Sequence, residues 1–308
     1  MKTGLKIVAV CFVFGVCLGI GGAMAGVAKL VPKEAQAQPA PPDLFLPLAA
    51  FCLSVGSVVS YLILRSTWHG WRLAGALFAA TYGISTIATQ VESWFFLSAK
   101  MPSGLIRALF VQGAIAMALF APLAVWILGK WTPAPRPTEN REAPPLTATA
   151  ITWRVGLLVG AFIFLYMLFG YYVAWRNPVL REYYGGTDSA SFYEMLKSNW
   201  QRQPQLFLLQ MFRALLYVAC VYPLLRMLRG GRWERVMAAA FFPASWTTAL
   251  LLPNPLMPSS VARSHLWETL AFNLMFGALM ALLLGKTRPH VEETSSPRAS
   301  RAAADGGP

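Results

Sequence analysis

Nine side chains able to carry charge or amide chemistry lie within or at the mouths of long apolar runs: Glu92, Arg107, Gln112, Gln210, Arg213, Arg263, His265, Glu268 and Asn273. His265 and Glu268 are three residues apart, which places them on one face of a helix. An imidazole beside a carboxylate suits proton transfer. The arginines present planar forks of donors that match a carboxylate or a phosphate. Gln210 and Arg213 repeat the three-residue spacing, and Ser85, Thr89 and Glu92 mark one stripe of another helix.

Ionised groups in a bilayer are costly unless paired or wet, so these residues are expected to gather. One expectation is an outward-facing polar pocket that binds or transports a small anionic or lipidic ligand. The competing one is a set of ties between helices, Glu92 with Arg107 and Glu268 with Arg213 or Arg263. Two further classes remain. A membrane-embedded enzyme would use His265 and Glu268, although H-E-x-x-H and G-x-S-x-G are both missing. A structural or assembly protein would present the segment Phe192 to Trp200 to protein partners that the sequence does not identify.

The composition explains why such residues stand out. Hydrophobic residues make up 56% of the 308 and charged residues 13%, against about 25% charged in soluble domains. Apolar runs of bilayer-spanning length cover 7–27, 46–64, 73–96 and 106–128, then 155–174, 206–225, 236–252 and 266–284. In lipid each must satisfy its own backbone, so each is expected to be helical. The expected fold is an all-α integral membrane protein of eight transmembrane helices, with the bilayer as its main partner.

The eight read as two parallel four-helix repeats, 1–130 and 151–286. Met101-Pro102-Ser103, Arg107 and Leu128-Gly129-Lys130 recur 156 residues later as Met257-Pro258-Ser259, Arg263 and Leu284-Gly285-Lys286. Arg65 and Gly70 recur as Arg226 and Gly231, and Lys6, Phe14 and Gly22 as Arg154, Phe162 and Gly170. Four crossings per copy set both copies in the same sense, related by an axis along the membrane normal. The copies differ at Gln112 against Glu268 and at Leu109 against His265. Because the charge of Glu268 is not shared by both copies, Glu268→Gln is expected to spare folding and impair activity.

The net charge of +13 follows topology and does not indicate nucleic-acid binding. Sixteen Lys and Arg fall at the termini and in the even-numbered connections, seven in the odd-numbered ones, and three within or at the mouths of spans. Both termini are therefore expected in the cytoplasm, in a plasma (inner) membrane. A Pro-rich cytoplasmic linker is expected over 131–150 and a disordered cytoplasmic tail over 287–308. An outer loop helix is expected over 189–200, with Ser191 and Glu194 as a capping box.

Ala35-Gln36-Ala37 resembles a signal-peptide cleavage site, but the repeat partner of the first apolar run argues for its retention. Cys11, Cys17, Cys52 and Cys220 all sit in apolar runs and read as packing residues. His69, His265 and His290 are too scattered for a shared metal or haem, and no cofactor is expected.

Overall fold

A computed structural model describes residues 2–32, 43–132, 147–186, 188 and 191–285. Lys286, Ala35-Gln36-Ala37, most of the Pro-rich linker and the tail lie outside the described residues. Among the described residues all regular structure is helical, apart from one isolated bridge between Ser66 and Leu228.

The first half of the chain contributes α1 (Thr3–Met24), a single turn α2 (Val27–Leu30), α3 (Phe45–Arg65), α4 (Gly70–Tyr82), α5 (Ala88–Leu97) and α6 (Leu105–Ile127). The second contributes α7 (Ala148–Phe169), α8 (Pro178–Tyr184), α9 (Phe192–Arg202), α10 (Pro204–Met227), α11 (Arg232–Trp246) and α12 (Ser259–Leu284). A π-helical turn, Gly83–Ile87, joins α4 to α5, and a second, Gly170–Ala174, ends α7. Thr247–Leu251 continues α11 as a 3₁₀ turn.

Among the described residues six helices are long and apolar enough to cross a membrane: Thr3–Met24, Phe45–Arg65, Leu105–Ile127, Ala148–Ala174, Pro204–Met227 and Ser259–Leu284. The sequence predicts eight. The two that fall short are the third and seventh, for different local reasons. The π turn divides the third apolar run into pieces of 13 and 10 residues. The seventh keeps only 15 α-helical residues, with Pro243 inside them, where a ring removes one amide donor from the ladder.

The ends follow local chemistry. Gly26, in the left-handed region at φ 66°, turns the chain after α1. Asn177 caps α8 through Val179 N–H at 3.0 Å with Pro178 in the first turn. Ser191 caps α9 by accepting from Glu194 N–H at 3.2 Å, which is half of the expected box. The fourth helix of the second half starts at Ser259, seven residues before its apolar run, with no side-chain cap; the entry is a turn, in which Met257 N–H bonds Asn254 O at 3.1 Å and Leu256 N–H bonds Asn254 Oδ1 at 2.9 Å.

Packing pairs helices within and between the halves. α1 packs on α3 and α6, as α7 packs on α10 and α12. Between halves, α3 packs on α11 and α10 packs on α4. Lipid tails are as apolar as Leu, so tight contact between helices rests on close approach of small residues. A Cβ on Gly21 would lie 2.6 Å from the Gln112 carbonyl, and one on Gly56 would lie 2.7 Å from the Cys11 Cα. Gly83 meets the Cys220 sulfur, and Gly277 meets the Ala239 backbone, closely enough that a methyl group would overlap them. All four cysteines are free and pack as expected.

Rings fill the spaces between these seams. Phe14 contacts Phe120 at 5.0 Å and Trp246 at 5.5 Å, while Phe162 contacts Phe276 at 4.9 Å and Phe272 at 4.8 Å. One end of the bundle carries the Ser66–Leu228 bridge, with Thr67 N–H bonding Met227 O at 2.7 Å and Arg229 N–H bonding Arg65 O at 3.2 Å. The opposite end carries α8 and α9. These are called below the bridge end and the loop end.

Candidate functional site

Five of the nine expected residues meet at the loop end. Arg213 on α10 bonds Glu92 on α5 through Nη1 at 2.7 Å and Gln210 one turn back at 2.9 Å. Its guanidinium lies 5.8 Å from the ring centres of both Phe162 and Tyr166 on α7. This contact suits a desolvated cation. Arg213 and Gln210 are buried, and Arg213 Nε and Gln210 Nε2 have no protein acceptor.

The second pair is His265 and Glu268 on α12, with Nδ1 and Oε2 at 2.7 Å. Tyr184, the last residue of α8, places its hydroxyl 3.0 Å from His265 Nε2. Burial, followed by the Glu92 charge, pushes the Tyr184 phenol above its ordinary range, so it stays protonated. Both ring nitrogens of His265 are therefore occupied. The two charged pairs together make up the polar cluster of the loop end.

The partners differ from those expected. Glu92 pairs with Arg213 on α10 and not with Arg107 on α6, although α5 touches both helices. Glu268 pairs with His265 on its own helix, which takes no interhelical strain to satisfy, and neither Arg213 nor Arg263 reaches it. Asn273 lies deeper, joined to Tyr217 at 3.2 Å and to the Pro243 carbonyl at 3.4 Å. It packs three helices together and is not part of the charged unit.

Arg107 and Gln112 do not join the cluster. Arg107 is exposed, with no ion pair among the described residues. Gln112 packs on α1, where a Cβ on Gly22 would lie 3.3 Å from its Nε2. The same relation recurs in the second half, where a Cβ on Gly170 would lie 3.5 Å from Glu268 Oε1. Thr89 is also exposed, because the π turn rotates α5 relative to α4, and Thr86 is buried against Gly113 instead.

Arg263 belongs to a separate place, an open cleft of about 390 Å³ at the same end. Val173 of the π turn, Arg176, Asn177, Ser260 and Trp267 line it with Arg263. Asn177 ties its two walls by donating to Ser260 O at 3.1 Å and to Ser264 Oγ at 3.0 Å. Arg176 lies 5.3 Å from the Tyr171 ring centre and 5.9 Å from that of Tyr172. No carboxylate among the described residues is within salt-bridge distance of Arg176 or Arg263.

No protein family, curated protein or solved structure matches this chain. The site must therefore be read from its own geometry. Arg176, Trp267 and Tyr184 were missed from sequence because two sit in a connection and the third reads as an ordinary interfacial ring. One signal was available: Asn177-Pro178 is a helix-start dipeptide that fixes what precedes it.

α9 uses its apolar side on the protein. Met195, Phe192 and Leu196 pack with Met167, Leu206 and Leu209, leaving Tyr193 and Trp200 exposed. The expected helix exists, but its apolar face is already covered.

Proposed function

We propose that this chain is an eight-crossing membrane protein of two parallel four-helix repeats, and that it binds a small anionic or lipidic ligand at an outward-facing loop end. The crossings are the six long helices, the bent third segment Gly70–Leu97 and the short seventh, Val236 to Leu252. Exposed tryptophans support this reading. Trp71, Trp126, Trp153 and Trp233 stand at helix ends on the bridge side, and Trp94, Trp200 and Trp267 on the loop side. Tryptophan collects at the two interfaces of a bilayer.

The reciprocal packing of α3 on α11 and α10 on α4 is what a two-fold axis along the membrane normal produces. So is the equivalence of Phe14–Phe120 with Phe162–Phe276. Retention of α1 follows from the same argument, since Phe14 is completely buried in the ring cluster. The concentration of Lys and Arg at the bridge end supports a cytoplasmic bridge end and cytoplasmic termini, in a plasma (inner) membrane.

The observation that carries the binding function is the pair Arg176 and Arg263. Two guanidiniums with no carboxylate partner among the described residues line one cleft at the loop end. Outward binding is favoured over alternating access because the cleft and its two guanidiniums lie at the loop end. The enzyme reading is weaker, because His265 has no free nitrogen and the cleft lining does not include His265 or Glu268. The assembly reading loses its surface to the packing of α9.

The test uses the full chain in neutral detergent and a fluorescent anionic amphiphile, with its zwitterionic analogue as control. Saturable binding that prefers the anion and weakens at least tenfold in Arg176→Gln/Arg263→Gln is expected. Equal binding of both probes, unchanged in the double variant, would refute it.

A further inference from the structure

The cleft is small, its charges are fixed and its surroundings are apolar. At about 390 Å³ it stands near the lower end of ligand pockets, roughly 300–1,000 Å³. It has room for a headgroup but not for a whole lipid. Arg176 is held by its contacts with the rings of Tyr171 and Tyr172, and Arg263 rises from the first turns of α12. The two wall elements are fastened by Asn177, so the guanidinium spacing does not depend on a loop closing.

The start of α12 adds a second contribution. Its first turn has no side-chain cap, and Ser260 of that turn lines the cleft. The Val261 and Ala262 amides already bond Pro258 O at 3.0 Å, which leaves those of Ser259 and Ser260 at the positive end of a 26-residue helix. The charged groups presented to the cleft are both guanidiniums, with the Ser260 and Ser264 hydroxyls beside them. A phosphate diester is the acceptor that fits.

Apolar side chains continue from the cleft toward the membrane centre. Trp267 is 59% exposed and Met275, two turns further along α12, is 47% exposed. On the adjacent α7 and its π turn, Tyr172 is 51% exposed and Phe164 is 55% exposed. A soluble anion would touch none of these. An acyl chain descending from a headgroup in the cleft would lie along them.

We infer that the cleft seats the phosphate of an anionic phospholipid of the outer leaflet, with its acyl chains lying along α7 and α12. This rests on the outward-facing anionic site proposed above and assigns its occupant. The bound lipid forms bidentate contacts with Arg176 and Arg263. Phosphatidylglycerol is preferred to phosphatidylcholine because two guanidiniums repel a trimethylammonium group.

The experiment measures binding of fluorescent phosphatidylglycerol and phosphatidylcholine to the full chain in detergent, with glycerol 1-phosphate as soluble competitor. Phosphatidylglycerol is expected to bind at least tenfold more tightly than phosphatidylcholine, with no competition from millimolar glycerol 1-phosphate. Arg176→Gln/Arg263→Gln should abolish the preference. Arg107→Gln, which changes an exposed arginine outside the cleft, should keep it. Both cleft arginines are exposed, so the double variant is expected to fold, and a thermal melt checks this. Arg176→Lys/Arg263→Lys, which keeps the charge but loses the bidentate fork, should bind at an intermediate level.

Full competition by glycerol 1-phosphate would leave an anion site and overturn the lipid assignment. Absence of any preference for the anionic lipid, together with no binding of glycerol 1-phosphate, would overturn both the assignment and the function beneath it.

Discussion

The carboxylate of Glu92 meets the guanidinium of Arg213 at 2.7 Å, joining a helix from the first half of the chain to one from the second. The Arg213 side chain is 10% exposed and that of Glu92 is 28% exposed. That difference makes the two partners unequal. Removing one member of a buried pair costs about 3–5 kcal/mol because the other charge is stranded.

Glu92→Ala strands a buried cation and is expected to reach that range. Arg213→Ala strands a carboxylate that water already reaches, and about 1–2 kcal/mol is expected after allowing for that solvation. Thermal melts of the single variants and the double variant in detergent measure this. Equal losses would mean that exposure does not govern the pair.

Glu268→Gln separates charge from hydrogen bonding. The amide oxygen can still accept from His265 Nδ1, so accumulation in the membrane is expected within about 1 kcal/mol of wild type. Glu268→Leu leaves His265 half satisfied and should cost about 1–3 kcal/mol. Loss of accumulation in the Gln variant would show that the ionised carboxylate itself is structural.

Phe14→Ala and Phe162→Ala should cost similar amounts. Helices in lipid lose little transfer energy on truncation, so the void dominates. At about 24 cal/mol per Å³, an unfilled space of roughly 100 Å³ costs about 2.4 kcal/mol. Chemical denaturation of each variant reads this directly. A neutral Phe14→Ala would argue that α1 is dispensable.

Gly277→Ala is expected to be poorly tolerated, because the obstacle is the Ala239 backbone of α11 and not a side chain that can swing away. A loss of about 1–3 kcal/mol or more follows from such overpacking. Gly160→Ala meets open space and should gain up to about 1 kcal/mol from helix propensity. Paired melts decide between them.

At the bridge end Arg65 grips Glu234 with two bonds, at 2.6 and 2.8 Å. Those bonds hold the Glu234 carboxyl below its ordinary pKa. A carboxyl lowered on folding adds stability that is fully present above its unfolded value, about 4.3. That stability is lost as the pH falls through the folded value. Wild type should therefore outlast Glu234→Gln at neutral pH, with the gap closing on acidification below about pH 4. Since Arg65 is 46% exposed, the gap should be small and shrink in salt. A gap that widens in acid would contradict the assignment.

Sequence reading found what depends on periodicity and composition. The apolar runs predicted the helices, and the recurrence of Phe14 as Phe162 identified two residues that occupy matching ring clusters. It failed where one residue changes the phase. The π turns at Gly83 and Gly170 cannot be read from hydropathy, yet the first moves Thr89 to the surface and the second builds one wall of the cleft. Gln112 was expected beside Glu268 in a shared pocket. Instead the two occupy equivalent places in different halves, each against its own glycine. Arg213 pairs with Glu92 on α5 and not with Glu268 on α12, although α10 packs on both helices, a choice that hydropathy does not carry.

The Ser66–Leu228 clasp also has a mechanical meaning. Its bonds are backbone to backbone, and so are indifferent to rotamer changes and to protonation. At the far end the halves hold one another through side chains such as Glu92 and Arg213, which can let go. Between the two ends the halves are packed against each other, Gly83 on Cys220 and Phe14 on Trp246. The clasp therefore fixes the register of the two halves at one end, whatever the ionisation of the side chains at the other.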